Sequence, residues 1–190
     1  MSILHLARAT RSFRRFNERF IIGEDLLTQW VDCARQTASA KNLQPLKYHL
    51  VTEADEREKV FETCKWAGYL NDWDGPEAGQ RPTAYIIMAN DTTLGKTEAA
   101  HFDAGIAAQT IMLAATEEGF GGCIIMTFAK KTLKENLSIP DHLDPVFVLA
   151  LGRSVEDVRM VDMENGDYKY YRDEAGVHFV PKRTLEEILF

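Results

Sequence analysis

Cysteine is scarce in this chain. Cys33, Cys64 and Cys123 are widely spaced, odd in number and form no CxxC pair. That pattern argues against a disulfide framework and against a zinc cluster, and it points to the cytoplasm. Cys33 reads as part of the apolar face of a helix and Cys123 as part of a strand, small core residues rather than nucleophiles. Long apolar runs are missing too, since none reaches the roughly 18–20 residues that cross a bilayer. The amino terminus lacks a secretory layout, because Ile3, Leu4 and Leu6 are broken by His5 and followed by Arg8 and Arg11. There is no basic excess: 22 Lys and Arg face 29 Asp and Glu, a formal charge of −7. With a pI near 5.3, this argues against nucleic-acid or anionic-membrane partners. Repeats, low-complexity tracts and linkers are also absent, so residues 1–190 read as a single domain. Its 45% apolar and 27% charged residues are ordinary for a globular core of this size.

What is present alternates between helical and strand patterns. Leu26, Leu27, Trp30, Val31 and Ala34 fall at helical spacing over about 24–38, with Glu24 and Asp25 at the positive end. Pro45 then biases Gln44 to extended geometry. Strands are expected near 47–52, 84–89, 123–126 and 146–152, and the 84–89 run has the character of a strand buried on both faces. Helices are expected near 53–65, 97–118 and 130–138. The 97–118 helix is apolar nearly all the way round, which calls for cover on every side. A second subunit is an economical cover, with Gly105, Ala107 and Ala108 permitting close approach. Residues 66–82 read as a long aromatic loop, either a binding wall or a structural connection. Beyond the last strand the chain is polar and mixed until Val180-Pro181-Lys182-Arg183, and Leu185–Leu189 has helical or extended character. Helices alternating with a few strands indicate an α+β or layered α/β domain.

Against the acidic whole, Arg11-Ser12-Phe13-Arg14-Arg15-Phe16 is a local cationic cluster. Arginine's planar fork holds phosphate well and stays charged, and Ser12 adds a neutral donor. By itself such a run on a first helix is more usually a solvated face. His101-Phe102-Asp103 and Glu117-Glu118 are not read as metal ligands; Asp103 lies early in a helix, where a carboxylate is favoured. Gly119-Phe120-Gly121-Gly122 follows a helix rather than a first strand, so it is a helix stop and turn and not a dinucleotide fingerprint.

Taken in chain order, Arg-Ser-x-Arg-x-Phe, Ser-Ala-Lys-Asn-Leu-Gln-Pro, Gly-Phe-Gly-Gly-Cys before a strand, and a late Pro-Lys-Arg form a set. The set resembles the FMN-dependent nitroreductase family over nearly the whole chain. The resemblance implies an α+β fold, a mixed sheet flanked by helices, and an intimate homodimer with two flavins at its interface. It implies that Arg11 and Ser12 hold the FMN phosphate, and that Arg14 approaches the ribityl chain and the N1–C2 edge of the ring. A fixed cation there favours reduced flavin. The family commonly has a further arginine where this chain has Thr10, and Arg11 is the residue available to substitute for it. Ala38, Ser39, Ala40 and Asn42 match a loop that packs on the flavin of the other subunit. Met126 and Thr127 stand where backbone addresses flavin N5, and Lys182 and Arg183 match a basic pair closing over the phosphate.

The activity implied is ping-pong hydride transfer from NADH or NADPH, through the flavin, to a nitroaromatic, quinone or similar electron-poor acceptor. No protein side chain is required as acid or base. Reductive dehalogenation, flavin fragmentation and a non-catalytic flavin-binding role are the alternatives.

Overall fold

The structure, a computed structural model, describes residues 2–190, apart from the side chains of residues 97 and 99. At its centre is a four-stranded antiparallel sheet of β1 (Leu46–Val51), β2 (Ala84–Asp91), β3 (Gly121–Ile125) and β4 (Leu143–Gly152), in the order β1-β2-β4-β3. Period-two alternation along the two central strands sends Ile86, Met88, Leu149 and Leu151 to one face, and Tyr85, Ile87, Val148 and Ala150 to the other. Helices α2 (Glu24–Arg35) and α4 (Thr97–Glu117) cover the first face with Leu27, Trp30, Ala104, Ala108 and Ile111. Helices α3 (Ala54–Phe61) and α5 (Lys130–Asn136) cover the second with Val60 and Leu133. Cover on both faces is why the run at 84–89 carries no polar alternation.

The remaining elements are α1 (Ile3–Ala9), α6 (Leu185–Ile188) and a second, three-stranded sheet. In that sheet β7 (His178–Lys182) pairs parallel with β5 (Val158–Asp162) and antiparallel with β6 (Tyr171–Arg172). Together they make an α+β fold with mixed pairing. None of the described helices is long and apolar enough to cross a membrane.

Several local expectations need correction. The polar stretch after β4 is not structureless; β5 to β7 are half-exposed strands whose few apolar positions give no clean alternation. Gly121 and Gly122 belong to β3 rather than to a turn, while Gly119, with φ +79°, ends the preceding helix. Helix α3 stops at Phe61, so Cys64 and Trp66 enter the core from irregular backbone. Cys33 is exposed: the buried face of α2 is set by Leu27, Trp30 and Ala34, and Cys33 lies roughly 90° of arc away from it.

Helix α4 is covered on only part of its circumference within the chain. Ala107 and Ala108 pack against the chain's own core, whereas Phe102, Gly105, Ile106 and Gln109 form an exposed stripe at helical spacing. Phe102 is 78% exposed, and a Cβ added at Gly105 would meet nothing within 4 Å.

Candidate functional site

After α1 the chain runs in extended form along the outer edge of β3. Ser12 bridges Gly122 in parallel, and the Phe13 N–H donates to the Gly122 carbonyl at 2.9 Å. This approach requires glycine. A Cβ at Gly121 would come within 2.6 Å of the Phe13 ring, while one at Gly122 would collide instead with the Ala150 carbonyl oxygen of the paired strand β4. The cationic segment is therefore not a helix face; it is strapped to the sheet.

Glu156 fixes the same segment from the other side. Its buried carboxylate accepts the backbone N–H of Arg14 in a short hydrogen bond and that of Arg15 at 3.2 Å, and it pairs with Arg172 Nη2 at 2.6 Å. The Arg172 guanidinium in turn lies 4.2 Å from the Trp73 ring centre. Burial lowers the Arg172 pKa, an effect the Glu156 carboxylate opposes.

Between the strap, β3, α4 and β7 lies a cavity of about 260 Å³. Arg11, Ser12 and Arg14 line it from the strap, and Lys182 from the end of β7. Gln109 and Met112 come from α4, Gly122 and Ile124 from β3, and Tyr170 and His178 from the second sheet region. Among the described residues three cations face it and no carboxylate does. The Arg11 Nε is buried with no partner among the described residues, while its Nη2 donates to the Ala7 carbonyl at 2.7 Å. Burial also lowers the Arg11 pKa. Thr10 lines the cavity as well, but its hydroxyl is held by Leu6 O and Thr116 Oγ1.

Arg14 extends across the cavity wall. Its Nη1 donates to Ser12 O at 3.4 Å and lies 3.5 Å from His178 Nε2, and its guanidinium sits 4.9 Å from the Tyr170 ring centre. Burial, reinforced by Arg14, lowers the His178 pKa from 6.5 to about 4. Beneath them Cys123 is buried, which raises its thiol pKa despite the opposing pull of Arg14.

As pH falls from 6.5 to about 4, the unfolded chain takes up a proton that the folded His178 imidazole refuses, so acid favours unfolding across that window. Thermal melts of wild type should lose stability there, and His178→Gln should show a shallower decline. Identical slopes in the two proteins would contradict the assignment.

The 38–42 loop stands elsewhere. Ala38 and Ser39 line a separate cavity of about 80 Å³ with Tyr48 and Asp103, sharing no residue with the cationic one. The buried Asp103 carboxylate fastens this loop, accepting Ser39 Oγ at 2.6 Å and the Ala40 N–H at 2.9 Å. Asp103 also helps burial push the Tyr48 pKa up to about 12. Ala40 and Asn42 bound a single 3-10 turn, with Asn42 in the left-handed region at φ 56°. Met126 and Thr127 follow β3 directly but do not line the cationic cavity, and Met126 is 70% exposed. Arg183 pairs with Glu187 at 3.6 Å across the first turn of α6 and leaves the cavity to Lys182.

The aromatic loop packs partly into the core and partly against Tyr170. Trp66 is buried against Phe61, while the Tyr69 N–H donates to the Tyr170 hydroxyl at 3.4 Å and joins the loop to the cavity rim. Tyr170, His178, Glu156 and Arg172 escape a reading of the sequence, because they belong to a polar stretch without motif. The density of tyrosines at 168, 170 and 171 is the one signal available there.

Comparison with known proteins follows this geometry. The family described as "Nitroreductase family" matches residues 7–153. A Methanothermobacter thermautotrophicus protein, provisionally named an NADH dehydrogenase/NAD(P)H nitroreductase, is 27% identical over 88% of this chain and 85% of its own length. The crystal structure of a nitroreductase family protein from Clostridium novyi NT is 27% identical, with a TM-score of 0.70 over 81% of this chain and 87% of that one. A protein from Exiguobacterium sibiricum, provisionally named a nitroreductase and crystallised with FMN, is 16% identical. Its TM-score is 0.67, over 82% of this chain and 90% of that one.

Proposed function

The chain belongs to the nitroreductase family, and from that premise we propose that the cationic cavity is its FMN site in an NAD(P)H-dependent oxidoreductase. The observation that carries the reading is the lining itself: Arg11, Arg14 and Lys182 without one carboxylate, in a chain of formal charge −7. Such a concentration of positive charge in a partly buried recess suits a phosphate monoester. The unpartnered Nε of Arg11 is a donor still to be satisfied.

Arg11, Ser12 and Lys182 would hold the phosphate, with Arg183 near it, and Arg14 would meet the anionic edge of the ring. When bound, FMN would supply two-electron chemistry, a ping-pong route for hydride from NADH or NADPH to a nitroaromatic, quinone or similar acceptor. The backbone at Met126 and Thr127 would border the ring. The loop of Ala38, Ser39, Ala40 and Asn42 would reach the flavin of a second copy, a homodimeric arrangement supported by that loop lining a different cavity from the cationic one. The exposed α4 stripe around Phe102 and Ile106, with Leu185, Ile188 and Leu189 near the carboxyl terminus, supplies apolar surface for such an interface. Three free thiols fit a reducing compartment such as the cytoplasm.

Apoprotein titrated with FMN should quench flavin fluorescence to an equimolar endpoint. Anaerobic NADH or NADPH should then bleach the yellow complex, and a quinone or nitroaromatic should restore its colour. A complex that stays yellow with both donors would indicate a binding role without turnover, and failure to take up FMN would overturn the site.

A further inference from the structure

Among the described residues the Arg14 guanidinium has no carboxylate partner. Its side-chain contacts are Ser12 O, His178 Nε2, the face of Tyr170 and the buried Cys123 thiol beneath it. Arginine only donates, so His178 Nε2 can meet it only as an acceptor, which puts the imidazole proton on Nδ1. That Nδ1 is buried and has no partner among the described residues. The imidazole is therefore oriented for Arg14 at the expense of its own second nitrogen. Its backbone N–H is held by Asp157 O at 2.8 Å, and its ring centre lies 5.3 Å from that of Tyr170.

A carboxylate in the same place would hold Arg14 equally well but would cancel its charge. The nearby carboxylate, Glu156, is spent on the main chain of Arg14 and Arg15 and on Arg172. Neutral partners fix the cation and leave its field intact. We propose that His178 and Tyr170 are positioning residues that hold Arg14 as a fixed, uncompensated cation on the cavity wall, for the anionic edge of the bound flavin. The proposal rests on the FMN reading of this cavity. The charged groups around His178 are Arg14 and Arg15 from the strap, Glu156 after β4, and Arg172 from β6. Burial first, and then three cations against one anion, disfavour the charged imidazole.

The test is a double-mutant cycle read as FMN affinity of the apoprotein, by fluorescence quenching. His178→Phe keeps a ring and removes the acceptor, and should weaken FMN binding by about tenfold. In an Arg14→Ala background the same change should matter by less than about twofold, because its target is gone. His178→Gln, whose carboxamide oxygen can accept, should bind within about threefold of wild type. A His178→Phe effect of equal size with and without Arg14 would overturn the proposal. The ¹⁵N spectrum of the wild-type imidazole tests it without any variant: a proton on Nδ1 is expected, and a proton on Nε2 would overturn it even if the variants do not fold. Wild-type apoprotein that fails to bind FMN would instead overturn the site reading, and is seen before the cycle begins.

Discussion

Glu156→Ala is expected to lower folding stability by about 3–5 kcal/mol, measured as a shift of the urea midpoint at constant slope. The carboxylate accepts from three donors: two consecutive backbone N–H groups of the strap and the mostly buried Arg172 guanidinium. Removing it leaves all three unsatisfied and one buried charge unpaired, the situation in which deletion costs far more than the pair contributes. Glu156→Gln keeps the volume and one acceptor oxygen and should fall between the two. The strap carries Arg11, Ser12 and Arg14, so FMN affinity should drop along with stability. A Glu156→Ala protein that unfolds within about 1 kcal/mol of wild type would mean that this carboxylate does not fix the strap.

Charge reversal at the phosphate end should have the largest effect on binding. Lys182→Glu puts an anion where a phosphate dianion is to sit, and should weaken FMN binding by about 10²–10³-fold, from the 2–5 kcal/mol typical of a broken charge pair. Arg11→Glu should act similarly. The comparison that makes this specific is riboflavin, which lacks the phosphate. Its affinity should change little in either variant, whereas Arg14→Ala should weaken both ligands. Equal losses for FMN and riboflavin in Lys182→Glu would move the phosphate away from Lys182 and invert the proposed orientation.

Much of the architecture is legible in the sequence. The strands at 84–89 and 146–152 announce themselves because both of their faces are covered, and a strand buried on both sides is written in uninterrupted branched residues. Helix α2 is legible from Leu27, Trp30 and Ala34, because one side of it meets the core at regular spacing. The half-exposed strands β5 to β7 are not legible, since solvent on one side relaxes the choice of residue and erases the period. Cys33 shows the limit within a helix: spacing predicts a face, and only packing fixes where that face ends.

At the candidate site the division is similar. Arg11, Ser12 and Arg14 stand out in sequence as a cationic cluster in an acidic chain, whereas Lys182 is picked out only through the family resemblance. Glu156, Arg172, Tyr170 and His178 do not stand out, because each acts on another side chain or on the main chain and many residue types could do so. Local sequence, then, determined the helices, the buried strands and the cationic chemistry of this protein, since those depend on side-chain pattern and charge alone. Only the tertiary structure decided that Arg14 meets an imidazole nitrogen and the face of a phenol ring, with no carboxylate partner among the described residues. Bringing residues 14, 170 and 178 together depends on strand pairing and glycine clearance across the chain, and no stretch of neighbouring residues records that.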